Sequence, residues 1–265
     1  MFVACSYDTM ASSADGITWI GNSQRGLSIN GIAWGNNKFV FVTNGGRAMY
    51  SPDGITWTAV TDTTFGSEPI NSIAWGNNKF VAVGSGGKMA FSSDGITWTA
   101  VVDSTFSTNE IHTITWGNNK FVAAGRLGSM AYSSDGITWT AVANSTFYTR
   151  IRSIAWGNNK FIATSSGPRM SYSLDGITWT AIADTAFNYT MVDTSTIWSV
   201  AWGNNKFVAV GQLGKAAYSN DGIKWTAVTD TTFGSDHSGE IYDIVWGNNK
   251  FVAVGRSKIA YWDGN

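Results

Sequence analysis

Six side chains of unlike chemistry recur at one place in the sequence. Asn30, Asn71, His112, Arg152, Trp198 and Tyr242 each precede a short, otherwise nearly constant run that ends in tryptophan. Amide and guanidinium groups hydrogen-bond hydroxyls and carboxylates, and indole and phenol rings offer flat apolar faces. Together they suit a polyhydroxylated ring, with Trp198 and Tyr242 on its C–H face and Asn30, Asn71 and Arg152 on its hydroxyls or a carboxylate. A second variable place, after the next apolar run, carries Asn44, Ser85, Arg126, Ser165, Gln212 and Arg256. Segments of unequal length add Glu68, Glu110, Tyr148, Arg150, Tyr189, Asp193, Asp236, His237 and Glu240. The chain's three glutamates and two histidines all fall in these variable places.

The elements that must carry these residues are repeats. Trp-Gly-Asn-Asn-Lys-Phe begins at Trp34, Trp75, Trp116, Trp156, Trp202 and Trp246, at spacings of 41, 41, 40, 46 and 44 residues. Asp-Gly-Ile-x-Trp begins at Asp15, Asp53, Asp94, Asp135, Asp175 and Asp221, so the two motifs take twelve of the fourteen tryptophans. In the unit from Ile70 to Val101, four runs have strand length and composition: Ser72–Trp75, Lys79–Val83, Lys88–Ser92 and Thr97–Val101. They are called A to D below. Gly76-Asn77-Asn78, Gly84-Ser85-Gly86-Gly87 and Asp94-Gly95 separate them with hairpin chemistry.

A repeating four-stranded unit of this length, without helical periodicity, is the signature of an all-β fold, a single β-propeller of four-stranded antiparallel blades. One domain over residues 1–265 is expected, with repeats near 1–28, 29–69, 70–110, 111–150, 151–196, 197–240 and 241–265. The N-terminus supplies B, C and D only, and the C-terminus A, B and C only. The expected total is therefore 26 strands, and seven blades with incomplete terminal blades are favoured over six with a composite closing sheet.

The run Ser92-Ser93-Asp94-Gly95-Ile96-Thr97-Trp98 resembles the Asp-box of bacterial neuraminidase-type repeats, with one residue fewer between Asp and Gly. The whole unit is similar to propeller repeats of phage tail and bacterial surface proteins and of propeller lectins. The resemblance implies a turn between strands C and D. It covers glycan-active enzymes and lectins alike, so it transfers no catalytic role. Locally, Asp and Ser can bond turn amides, Gly can take positive φ, and the tryptophan can pack between blades, its N–H needing one partner. The motif therefore reads as scaffold.

Alternate turns of an up-and-down sheet lie at opposite ends. The nearly constant A–B and C–D turns share one end; the variable B–C and D–A loops share the other. If strand A is innermost, the six leading residues ring the mouth of a central channel. A constant end and a diversified end describe a binding module. The expected ligand is a glycan or cell-surface glycoconjugate, held by Asn30, Asn71, His112, Arg152, Trp198, Tyr242, Arg126, Gln212 and Arg256. A sialidase-like glycosidase is the enzymatic alternative. It needs two carboxyl groups about 5–5.5 or 6.5–9.5 Å apart, drawn from Glu68, Glu110, Glu240 and Asp243, with Arg126, Arg152 and Arg256 clustered. A protein–protein platform is the third reading.

Composition narrows the rest. A formal net charge of −1 argues against nucleic-acid binding. The single cysteine, Cys5, excludes an internal disulfide and any cysteine-built zinc site, and reads as a small buried hydrophobe. His112 and His237 lack metal-ligand spacing, so no metal or cofactor is expected. No apolar run is long enough to insert in a membrane, and no signal peptide is recognised at the start. An extracellular, cell-surface or virion setting fits the ligand class.

Overall fold

A computed structural model of the chain describes residues 2–5, 10–22, 26–183, 186–187, 196–229, 231–234, 239–256 and 258–263, without the side chains of residues 2, 4, 5 and 22. Tyr189, Asp193, Asp236, His237 and the Cys5 side chain lie outside the described residues. The described chain forms 26 strands, as counted from the sequence, and three short 3-10 turns. The strands make seven antiparallel sheets in chain order: five of four strands, and a three-stranded sheet at each end. Two compact units hold them, Met1–Val142 and Ala143–Asn265.

The blade count needs correction. Strand A is found six times, at Ile29–Gly35, Ile70–Gly76, Ile111–Gly117, Ile151–Gly157, Ile197–Gly203 and Ile241–Gly247. The first sheet, Phe2–Cys5, Met10–Ser13 and Ile20–Asn22, has no such strand. Six sheets therefore qualify as blades of the repeat, and the seven favoured from strand counting is not supported. Counting strands gave weight to a terminal sheet that lacks the element each blade is built on.

The core lies between neighbouring sheets of each unit. In the first unit Ala74, Val81 and Val83 of one sheet pack against Ile111, Ile114, Phe121 and Trp139 of the next. In the second, Ala155 and Ile162 pack against Val200, Phe207 and Trp225. Strand B is buried on both faces, so Phe80, Val81, Ala82 and Val83 read as a continuous apolar run rather than an alternating one. Each buried phenylalanine contributes about 1.5–3 kcal/mol from apolar burial.

The constant turns are scaffold in detail. Both turn asparagines have positive φ, for example 43° at Asn77 and 56° at Asn78, as the favoured two-residue hairpin turn requires. The first also crosses to the next sheet, where Asn77 Nδ2 donates to the Ser134 carbonyl at 3.1 Å, with equivalents at Asn36, Asn158 and Asn204. In the C–D loop, the Ile96 and Thr97 amides and the Ser92 hydroxyl all donate to Asp94 Oδ1 at 2.8–2.9 Å. Burial pushes the Asp94 carboxyl up, but those three donors outweigh it and lower its pKa to about 2.

The two tryptophan families behave differently. Trp98, Trp139, Trp179 and Trp225, from the C–D loops, are only 6–7% exposed. Their indole N–H groups are buried with no hydrogen-bond partner among the described residues, contrary to the partner expected from sequence. The strand A tryptophans are partly exposed, with Trp34 at 51%. Four of the six stack on a glycine of the preceding sheet: Trp75 on Gly35, Trp116 on Gly76, Trp202 on Gly157 and Trp246 on Gly203. The constant Trp-Gly pair is thus one half of two successive contacts.

Candidate functional site

Every strand A carries a β-bulge at the same place. In the second blade Ile70 lies opposite Gly84 and Ser72 opposite Val83, so Asn71 has no residue across the ladder. The same slip occurs at Asn30, His112, Arg152, Trp198 and Tyr242. A bulged residue leaves the pairing pattern, bends the strand and re-aims its side chain. The six leading candidates are therefore the six bulged residues. Sequence reasoning missed this, although a signal was present. The buried residues Ile70 and Ile73 are three apart, where a strictly alternating strand requires an even spacing.

Backbone bonds tie the two variable loops of each blade together. The amide after strand B donates to the carbonyl before strand A: Ser85 to Pro69, Arg126 to Glu110, Gln212 to Thr196, and Arg256 to Glu240, at 2.9–3.2 Å. The B–C and D–A loops thus share one end of their sheet, as expected. In the fourth blade the equivalent donor is Ser166, bonded to Arg150, while Ser165 pairs with Ile151 inside the sheet and is buried. The residue at that variable place is Ser166 rather than Ser165. Arg126 and Arg256 are exposed, and the Gln212 side chain accepts the Thr196 amide at 2.9 Å.

In the first unit the bulged side chains reach to the neighbouring strand A. Asn30 Nδ2 donates to the Ile70 carbonyl at 2.9 Å, and Asn71 Nδ2 to the Ile111 carbonyl at 2.8 Å. Asn71 also donates to Glu110 Oε1 at 3.3 Å, and His112 Nε2 lies 3.6 Å from Glu110 Oε2.

In the second unit the same positions form a stacked series. The Arg152 guanidinium lies over the Trp198 ring, 4.4 Å from its centroid, and Arg152 Nε donates to Ser166 Oγ at 2.7 Å. Trp198 meets Tyr242 edge-on, with centroids 6.0 Å apart. The Tyr242 hydroxyl donates to Glu240 Oε2 at 2.6 Å. That bond, desolvation and the Glu240 charge raise the phenol pKa, against the opposing charge of Arg256. One face of Trp198 is thus occupied by a guanidinium, which the Ser166 hydroxyl helps to orient. Tyr242 is 42% exposed.

One carboxylate stands out behind this series. The residues that follow the bulge are Gly31, Ser72, Thr113, Ser153, Ser199 and Asp243. Ser153 accepts the Val200 amide of the next blade at 3.3 Å, and Ser199 donates to Asp243 Oδ1 at 2.6 Å. Asp243 keeps an open side, yet protein crowds around it. Desolvation raises its carboxyl pKa, against the lowering hydrogen bonds from Ser199 and the Ile244 amide. A raised folded pKa contributes stability below the unfolded value of 3.8 and loses it as pH climbs through the folded value. Asp243→Ser, which copies three sister blades, is therefore expected to raise the thermal midpoint near about pH 7, with the gain shrinking toward about pH 3.5. Thermal melts across that range check it; a gain independent of pH contradicts the assignment.

Among the described residues no group of three or more His, Cys, Asp or Glu side chains is arranged to hold a metal ion. Nor, among the described residues, is any helix long and apolar enough to cross a membrane.

No protein-family model and no curated protein matches the sequence. Solved structures do match in fold. A structure of YCF48 bound to D1 peptide aligns with a TM-score of 0.66 at 19% identity, over 86% of this chain and 76% of that one. A chain of the mitotic checkpoint complex aligns with a TM-score of 0.72 at 9% identity, over 98% and 85%. Virginiamycin B lyase from Staphylococcus aureus aligns with a TM-score of 0.68 at 11% identity, over 88% and 83%. The fold is an all-β β-propeller with four-stranded antiparallel blades.

Proposed function

We propose that the chain is a non-catalytic binding propeller whose recognition surface is the end of the blades that carries the bulged residues. The observation behind this reading is the bulge itself, at one place in six strands and filled by five residue types. A framework that is otherwise repeated closely puts its chemical variety where the backbone already turns a side chain out of the ladder. The ligand class that fits the second unit best is a peptide segment of a partner protein. The Arg152 guanidinium, oriented by Trp198 and Ser166, suits a carbonyl or carboxylate, and one fold neighbour is a peptide complex.

The glycan reading keeps a specific support. Tyr242 and Tyr148 are 42% and 76% exposed, the first bonded to Glu240 and the second beneath the Arg169 guanidinium, and exposed rings beside polar groups suit sugar stacking. Parallel peptide and glycan arrays separate the two. Arg152→Ala and Tyr242→Ala are each expected to weaken binding about tenfold or more, an energy of about 1.4 kcal/mol or above. Ile55→Ser, at the opposite end, is expected to leave it unchanged. Retained affinity in both site variants would sink the assignment.

A further inference from the structure

The sequence holds two Asn-Gly pairs, Asn30-Gly31 and Asn44-Gly45, and the fold treats them oppositely. An asparagine before glycine is open to attack on its side-chain carbonyl carbon by the next backbone nitrogen, because glycine has no Cβ to obstruct the approach. The attack needs a nitrogen not engaged in a hydrogen bond, a side chain free to swing over it, and water.

Asn44-Gly45 meets all three conditions. The B–C turn of the first blade is pinned around it. The Thr43 amide donates to the Arg47 carbonyl at 3.0 Å, Asn44 to the Ser28 carbonyl at 2.8 Å, and Gly46 to the Thr43 carbonyl at 3.3 Å. The Arg47 amide donates to Thr43 Oγ1 at 3.1 Å. From Thr43 to Arg47, the Gly45 amide alone has no acceptor among the described residues. The Asn44 side chain has no partner there either. Both residues are exposed on a recess of about 330 Å³ that Ser28 and Arg47 also line. No other blade puts Asn-Gly here; the sister pairs are Ser85-Gly86, Arg126-Leu127, Ser166-Gly167, Gln212-Leu213 and Arg256-Ser257.

Asn30-Gly31 is held instead. Asn30 Nδ2 donates to the Ile70 carbonyl at 2.9 Å, and Gly31 pairs with Val42 in the ladder. Ring closure there would take the side chain from Ile70 and turn the backbone out of the sheet.

We infer that Asn44 is a site of spontaneous deamidation in the folded chain and that Asn30 is shielded from it. The Gly45 nitrogen gives its proton to water or hydroxide and bonds to Asn44 Cγ. The Cγ–Nδ2 bond breaks, Nδ2 leaves as ammonia, and a succinimide remains. Water adds to either ring carbonyl and returns a proton to the nitrogen, so residue 44 becomes aspartate or isoaspartate. One water enters for each ammonia that leaves. The product sets a carboxylate in the recess that Arg47 also lines, at the variable end of the blade. A consequence for a bound partner would rest on the binding function proposed above, whereas the conversion itself does not.

The full chain is kept folded in mildly alkaline buffer and sampled over time, beside a portion held unfolded in urea. Trypsin separates the two pairs into residues 26–38 and 39–47, and fragment spectra with isoaspartate separation read each conversion. In the folded chain Asn44 is expected to convert at least about tenfold faster than Asn30, and in urea the two rates are expected to converge. Gly45→Ala, whose methyl group would meet nothing within 4 Å, is expected to slow Asn44 at least about tenfold. Equal folded rates at the two asparagines, no conversion at Asn44, a rate unchanged by Gly45→Ala, or a gap that persists in urea would each overturn the proposal.

Discussion

Phe121→Ala is expected to destabilise the first unit by about 3–5 kcal/mol, the range for removing a fully buried large aromatic. Phe121 has no exposed surface and joins two tryptophan families in one contact. Its ring centroid is 4.5 Å from that of Trp116 and 6.5 Å from that of Trp139. Around it Ala74, Val81 and Val83 arrive from the preceding sheet, so the void would open between two blades rather than within one. Strand B is held on both edges by ladder hydrogen bonds, which leaves little room for collapse into that void. Denaturant unfolding with hydrogen exchange on the strands of both blades measures the loss. A cost below about 1 kcal/mol would show that the blades do not depend on this contact.

Gly76→Ala is expected to cost about 1–3 kcal/mol, the usual range for overpacking a filled core. A methyl group there would overlap the ring of Trp116, which lies directly on the glycine. The backbone at Gly76 does not require glycine, since it is absent from the positive-φ residues; only the neighbouring indole does. Gly45→Ala provides the contrast. Its Cβ would meet nothing within 4 Å and its φ is not positive, so it is expected to be neutral or to stabilise by about 0.4–1 kcal/mol through the unfolded chain. Equal effects of the two substitutions would contradict the stacking explanation.

The parts of the fold that were legible from sequence are those set by local chemistry. Asn77-Asn78 marks a tight hairpin because both residues tolerate positive φ, and Asp94 marks a loop because its carboxylate collects neighbouring amides. Grouping by unit also placed the variable B–C and D–A loops at one end, which the Arg126–Glu110 and Arg256–Glu240 backbone bonds bear out. What stayed hidden depends on distance in the chain or on a count of neighbours. Arg152 and Trp198 are separated by a full repeat, and no local pattern says that one lies flat on the other. The pressure on Asp243 comes from protein crowding one side of its carboxyl, which only three-dimensional packing creates. The number of blades was misjudged because strands were summed, whereas the six bulged A strands define the repeat.

The bulge at residues 30, 71, 112, 152, 198 and 242 separates two jobs that most strand positions must do at once. A residue in register has to fit the sheet's face and its cross-strand partner, so its identity is constrained twice. A residue held out of register answers to neither. These six sites behave like type slots in a fixed frame, where a letter can be exchanged without resetting the line. Copying Trp198 into the slot of Asn71 gives up the bond to the Ile111 carbonyl, but it removes no cross-strand partner, since Ile70 and Ser72 on either side keep theirs. On the proposed binding reading, a new partner is acquired by point changes alone, without inventing a loop.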